Sequence, residues 1–410
     1  MAHSQSLVAC LYQPRIRALW SANLLSNFGS WGQIFALTWQ VSTLSHSASK
    51  TAMVQTALWL PMLVLAIPAG LLGDLWHRPK LLFWSNASSC LIACILCLIS
   101  FFDLACSNIL LILCLLSGCA NAFTLPSWQS SIAALVKKSQ LSAIAGLNNL
   151  SYNLAACIAP FIAAGVVTQL GVSALYLFNA CSFVSLLTIY QRWYSQEQST
   201  PRPYLSLKDL WLKSIETFAL PLTVRGNRDF PLLLMTSFGT FCMCSAWPAL
   251  LPSLCLIGAN SSISNYGNQM AAFGGGAVFA AAILPLARRH ASEKLILLCC
   301  SLGYSLMLFA VSVLNHSSLT ITIIVIGGIS WSGIVTNINS TALRILAVEL
   351  RTRGLALLVI ATAGAQAIGG IVWGLLSENL GVAMALTIAA SMLINFSLLV
   401  FYTQSMLEPE

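Results

Sequence analysis

The chain has 410 residues, 58% of them hydrophobic and only 7% charged, with a net charge of +8 and a mean hydropathy of +0.83. A water-soluble domain carries about a quarter charged residues to meet solvent. Most of this surface therefore faces lipid, which excludes a soluble enzyme, a nucleic-acid binder and a disordered chain.

A hydrocarbon core about 30 Å thick takes roughly 20 apolar residues per helical crossing. Stretches of this kind predict an all-α integral membrane protein of twelve spans, near residues 17–42, 51–73, 81–102, 107–127, 143–168, 172–191, 230–256, 265–287, 294–314, 319–342, 354–377 and 381–402. The first is too long for a signal peptide and lacks a small-residue cleavage site, so it is expected to be retained. With both termini in the cytoplasm, every lysine and arginine except Lys50 falls on the inner side. That asymmetry fixes the expected orientation in a bacterial inner membrane and accounts for the basic charge with the bilayer, not nucleic acid, as partner.

The longest loop splits the chain into residues 1–191, a linker 192–229, and residues 230–410. In the linker, Ser206 and Asp209 form a capping box. Leu207, Leu210, Trp211, Ile215 and Phe218 recur at helical spacing, which predicts an amphipathic helix on the cytoplasmic membrane surface. Six spans on each side point to two structural repeats, as in many secondary carriers. Each half also has a basic turn between its second and third spans, His77–Lys80 and Arg288–Lys294.

Polar side chains within spans usually turn to the bundle interior. In the first span Asn23, Ser26, Asn27, Ser30, Gln33 and Gln40 fall on one arc, expected to line a central cavity. Leu24, Leu25, Phe28, Phe35 and Trp39 lie opposite, expected against lipid. Asn149, Tyr152 and Asn153 in the fifth span, Asn265, Asn268 and Gln269 in the eighth, and Asn337, Asn339 and Gln366 further along extend the candidate cavity. Hydrogen bonds between helices are the competing role for each amide. Trp20, Trp31, Trp247 and Trp331 are candidates for stacking on substrate rings or for interfacial anchoring, and Arg344 for meeting an anion or snorkelling.

No acid, base or histidine falls at the centre of a span. An amide- and aromatic-lined cavity suits a bulky polar organic solute better than a small ion. The fourteen cysteines sit mostly in apolar runs, where the thiol is a small core-filling group, and no spacing marks a metal or haem site. No phosphate-binding loop, HExxH or GxSxG motif occurs, so neither an enzyme nor a cofactor is expected.

At the inner end of the second span, Gly70, Leu72, Asp74 and Arg78 match the pattern G-x-L-x-D-x-x-x-R, and the chain here resembles the major facilitator superfamily. His77 and Pro79 depart from the usual turn residues. Asp74 sits at the negative end of its own helix and needs a compensating partner, such as Arg78 or the start of the eleventh span near Gly354. The resemblance implies that Gly70, Asp74 and Arg78 form a cytoplasmic gate in a fold of two six-helix bundles. The runs Arg17–Trp31, Leu147–Leu154, Asn179–Phe183 and Leu350–Gly354 are similar to the branch of enterobactin-type siderophore exporters and macrolide-efflux carriers, although Ser30 stands where many members have aspartate. Ala155-x-x-x-Ala159-Pro160-x-x-Ala163-Ala164 resembles the superfamily's antiporter motif with alanine for glycine, and Pro160 is expected to bend that helix. The resemblance implies export of a siderophore by alternating access. Drug efflux, siderophore uptake and a non-transporting receptor are the alternatives, and the chain is expected to work as a monomer.

If Asp74 closes the gate, Asp74→Asn will cut solute flux in proteoliposomes severely while expression and membrane insertion stay near normal. Unchanged flux would remove the gate role.

Overall fold

A computed structural model describes residues 12–75, 78–135, 141–196, 229–256, 262–314, 318–347 and 350–406. The described residues form thirteen helices and no strand: α1 Pro14–Ser45, α2 Ala48–Leu75, α3 Arg78–Phe101, α4 Ser107–Leu135, α5 Leu141–Leu170, α6 Val172–Gln196, α7 Asp229–Cys244, α8 Ala246–Leu256, α9 Ile263–His290, α10 Glu293–Val313, α11 Ser318–Ile345, α12 Arg351–Leu380 and α13 Val382–Met406. The helix predicted in the linker lies outside the described residues.

With α7 and α8 taken as one crossing, ten segments are long and apolar enough to span a membrane. The 32-residue α1 and the 28-residue α2 complete the twelve spans. The amides and hydroxyls of α1 keep it out of the apolar set. Helix ends follow local chemistry. Ser262 and Ser292 accept from the backbone N–H groups of Asn265 and Leu295 to start α9 and α10, and Arg288, Arg289 and His290 meet the negative end of α9.

Helices α1–α6 pack on one another, as do α7–α13, and the two sets meet along α2 with α12 and α5 with α9. A repeat joins the halves. The last two spans of each are linked through a single glycine, Gly171 or Gly381, at φ +78° and +86°, where a residue with a Cβ would be strained. Both sit in the sequence Leu-Gly-Val, a repeat legible in the chain itself.

Close helix approach rests on missing side chains, because lipid supplies no hydrophobic drive between helices. In α9 and α11 the contact is reciprocal: a Cβ on Gly276 would strike the Val325 carbonyl, and one on Gly328 would strike that of Phe273.

The first span is not arranged as expected. Phe35 is buried and stacks on Tyr266 of α9, with ring centroids 4.5 Å apart and planes at 11°, and Trp39 stacks on the same ring. Both face the other bundle, not lipid, because α1 is ringed by α2, α4, α5, α6 and α8 and keeps little lipid surface.

Gly328→Val is expected to force α9 and α11 apart and lower stability by about 1–3 kcal/mol. Gly165→Ala, whose new Cβ meets nothing within 4 Å, should cost nothing. Thermal unfolding of the two purified variants in detergent separates them.

Candidate substrate cavity

The two bundles are sewn together in the half of the spans away from the chain termini. Along α2 and α12, Ser47 donates to Glu378, Gln55 Nε2 to Gln366 Oε1 at 3.2 Å, and Thr56 Oγ1 to the Ala367 carbonyl at 2.8 Å. Along α5 and α9, Gly267 lies on Ala164 and the Pro160 carbonyl, and Gly274 lies on Cys157 and the Ala156 carbonyl. Pro160 has no N–H to bond Ala156 four residues back, which leaves that carbonyl facing Gly274. Helix α5 runs on through Pro160 without a break.

Nearer the termini the same faces come apart. Asn153 lies seven residues before Pro160 and Tyr152 one turn before Ala156, both on the stripe that meets α9 further up. Tyr152 is 50% exposed and Asn153 half-buried. On the facing helix, Ala281 and Pro285 continue the stripe of Gly267 and Gly274 and are exposed. The space between the bundles thus opens at the end that carries the termini and closes at the other.

On the amino-terminal side Asn23, Asn27 and Ser30 of α1 are half-buried, and an aromatic pair joins α1 to α5. Trp31 and Tyr152 meet edge to face, their centroids 5.6 Å apart at 63°, the arrangement favoured by the ring quadrupoles. Asn27 Nδ2 donates to Ser151 Oγ at 2.9 Å and ties α1 to α5.

The other expected cavity amides have structural partners. Gln33 is buried and accepts from Asn179 Nδ2 at 2.8 Å, locking α1 to α6. Gln40 bonds Ser100 of α3 and Tyr176 of α6. Gln269 is buried and donates to Asn265 Oδ1 at 3.1 Å, at the closed end. Gln366 belongs to the closed seam. Asn337 is buried within the carboxy-terminal bundle and donates to the Glu293 carbonyl at 3.0 Å. Arg344 pairs with Glu293 at 2.7 Å, beside Thr341, and so is committed to a partner. Helices α2 and α3 carry Gly70, Asp74 and Arg78 at their adjoining ends and α5 carries Asn149, but the side chains of Asp74, Arg78 and Asn149 lie outside the described residues.

Of the tryptophans, Trp20 donates to the Leu147 carbonyl at 3.0 Å, Trp247 is buried against Phe273, and Trp331 packs on Phe241 and Tyr304. Among the described residues no group of three or more His, Cys, Asp or Glu side chains is placed to hold a metal, and the described cysteines are free thiols.

Pro248 marks one further feature in the sequence. The seventh span breaks at Ser245, between α7 and α8. Pro248 cannot bond the Cys244 carbonyl, and the Tyr304 hydroxyl donates to it at 2.8 Å. The Cys242 carbonyl at the same break accepts from Trp373 Nε1 at 2.7 Å. The broken crossing is thereby anchored to α10 and α12.

The model of a family described as transmembrane secretion effector matches residues 5–408. The staphyloferrin A transporter of Staphylococcus aureus (strain NCTC 8325 / PS 47) is 28% identical over 170 residues, which span 41% of this chain and 43% of that protein. A POT family transporter solved with a thioalcohol-conjugated peptide superposes with a TM-score of 0.75 at 12% identity, over 96% of each chain. The nucleoside transporter NupG gives 0.75 at 12% identity, over 97% of this chain and 100% of its own. A bacterial homologue of the human lysosomal transporter Spinster, solved inward-facing and unoccupied, gives 0.72 at 12% identity, over 95% and 96%. At these identities the likeness is one of fold.

The pairing pattern separates the amides by experiment. Gln33→Ala strands the Asn179 amide in a buried site, which costs about 1–3 kcal/mol and should lower the unfolding temperature clearly. Asn153→Ala should leave it within a degree or two of the parent. Equal losses would place both in the same structural role.

Proposed function

Because the chain belongs to the transmembrane secretion effector family, a group of major facilitator transporters, we propose that it exports a small organic solute, most specifically a siderophore, by alternating access. The observation that carries this reading is the space between the bundles, sealed at one end by glycine contacts and side-chain hydrogen bonds and open at the other, with Trp31, Tyr152, Asn23, Asn27, Ser30 and Asn153 on its amino-terminal wall. With the termini in the cytoplasm of a bacterial inner membrane, a reading that the distribution of basic residues supports, the open end faces the cytoplasm. That is the state in which an exporter loads.

The wall favours a solute with rings and hydrogen-bonding groups. Tyr152 and Trp31 offer apolar faces, and the amides offer donors and acceptors without net charge. All Asp, Glu, Lys, Arg and His side chains in the described helices lie within five residues of a helix end, so a solute at mid-span meets no such charge. The partial match to a protein named as a staphyloferrin A transporter supports the siderophore class. The alanine-for-glycine pattern around Pro160, which seats α5 against α9, supports export.

In a cycle of this kind the α2–α12 and α5–α9 seams part at the outer end while the inner ends close. The residues proposed for that inner closure are Gly70, Asp74 and Arg78, with Pro160 setting the contact between α5 and α9. The protein is proposed to act as a monomer, its amino-terminal and carboxy-terminal bundles moving as two bodies joined by the 192–229 linker.

A deletion strain grown under iron limitation tests the proposal. Iron-chelating activity should fall in the medium and rise in the cells, and Tyr152→Ala should fail to restore release while reaching the membrane at normal levels. Normal release with failure to use added siderophore would reverse the direction to uptake. No change in either would move the substrate to drugs or other metabolites. Absence of saturable flux for any solute in liposomes would leave a receptor role.

A further inference from the structure

We propose that Phe35, Thr38 and Trp39 on the outer half of α1 form a second solute subsite, which takes a neutral planar ring bearing a hydroxyl, a phenol or catechol. With the outer end closed, Tyr266 of α9 occupies it. The proposal rests on the alternating-access reading above and adds where the ring of the solute goes when the outer end opens.

The occupant is itself a phenol. Tyr266 is 3% exposed, and its ring lies nearly parallel to those of Phe35, at 11°, and Trp39, at 15°, with centroids 4.5 and 5.9 Å away. Thr38 Oγ1 donates to the Ile34 carbonyl at 2.7 Å and so is left to accept from the Tyr266 hydroxyl beside it. Residues 35, 38 and 39 share one face of a helix. Two flat ring faces and one partner for a ring hydroxyl therefore stand on a single helix of the amino-terminal bundle. The ring they hold comes from the other bundle. Gly267 brings it there: the missing Cβ lets α9 settle on Ala164 and the Pro160 carbonyl, next to the Phe35 ring.

The division between two moving bodies turns this contact into a site. When the α5–α9 seam parts, Tyr266 leaves with α9, while Phe35, Thr38 and Trp39 stay on α1. Their apolar faces are then bare to water, which is unfavourable. A solute ring with the shape and polarity of the tyrosine side chain restores both the stacking and the hydrogen bond. The subsite also continues the cavity. Trp31 stands one turn before Phe35 on the same face, about 6 Å away by helical rise, and pairs with Tyr152 at the inner end. Trp31, Phe35 and Trp39 thus mark a track of rings along α1 from the loading end outward. Between Arg17 and His46 the helix carries no charged residue, which favours a neutral ring over an ionised one.

The test uses the full-length protein in detergent, with 4-hydroxyphenylacetamide as probe, cyclohexylacetamide as its non-aromatic counterpart, and saturation-transfer NMR to read binding. Gly370→Trp and, separately, Gly374→Trp set an indole against Thr56 and Ser49 of α2 and should hold the outer end apart. Acetylation of Tyr266 by N-acetylimidazole, absent in the parent, identifies the opened protein. Tyr266→Ala empties the subsite with the seam closed and keeps the test independent of either glycine variant. In the opened protein the phenol should bind about fivefold more tightly than the cyclohexyl compound, and Phe35→Ala or Trp39→Ala should each cost about fivefold, the worth of one aromatic contact. Thr38→Val should weaken the phenol and leave phenylacetamide unchanged. Tyr266→Ala should raise the probe's affinity with the seam closed and leave it unchanged with the seam open. Binding that ignores Phe35 and Trp39, or that favours neither compound, would overturn the subsite. A loss of affinity on Tyr266→Ala in the opened protein would make Tyr266 part of the site and overturn its role as occupant. No transport enters these measurements. Normal siderophore release without probe binding removes the subsite alone, whereas probe binding with no effect on release removes the siderophore and leaves the subsite.

Discussion

Inside a bilayer no water is available to complete a broken hydrogen bond, so a backbone polar group in a span must find its partner within the protein. The architecture follows from that constraint. Backbone groups are satisfied inside helices, and at one interruption side chains take over. Where Ser245 and Pro248 interrupt the seventh span, Tyr304 and Trp373 supply donors to the carbonyls of Cys244 and Cys242. Several amide side chains are met in the same way. Gln33 finds Asn179, Gln40 finds Ser100 and Tyr176, and Gln55 finds Gln366.

The seams between the bundles combine two kinds of contact with different consequences. Glycine and alanine let α5 and α9 meet backbone to backbone, which gives dispersion contact without interlocking side chains. The α2–α12 seam adds a few neutral hydrogen bonds. Such bonds are modest in net free energy, because each group can find another partner when the seam opens. An interface of this kind can be both tight and separable, as alternating access requires. A network of buried ion pairs across the seam would resist opening far more strongly. A charged group in the seam, Glu378, lies at its exposed outer edge against Ser47.

The two halves share a plan but differ in content. Both end in a pair of spans joined by one glycine in a Leu-Gly-Val sequence, and both place a basic turn after their second span. The amino-terminal half closes its inner core with leucine and aromatic side chains, while the carboxy-terminal half sets Thr236, Thr240, Ser301 and Ser397 among Leu297, Leu298, Val400 and Phe401 at the same place. It instead braces α10 on α11 through Glu293, Asn337, Thr341 and Arg344. The repeat thus sets where helices lie, and local side chains decide what each position does.

The sequence alone determined the membrane setting, the helix-rich class, the order of twelve crossings and nearly all of their limits. These depend on apolar runs, and an apolar run of about 20 residues has one stable outcome in lipid. It also carried the break at Pro248 and the Leu-Gly-Val repeat, both readable from residue chemistry. What only the tertiary structure decided was the task of each polar side chain. Arc position on an isolated helix treats Asn27, Ser30 and Gln33 as equivalent, and it puts Phe35 and Trp39 in lipid. Packing sets them apart: Gln33 is turned to Asn179, while Phe35 and Trp39 meet Tyr266 across the bundle interface. The physical reason is that α1 has protein neighbours on nearly every side, and one helical period cannot specify which neighbour lies on which side.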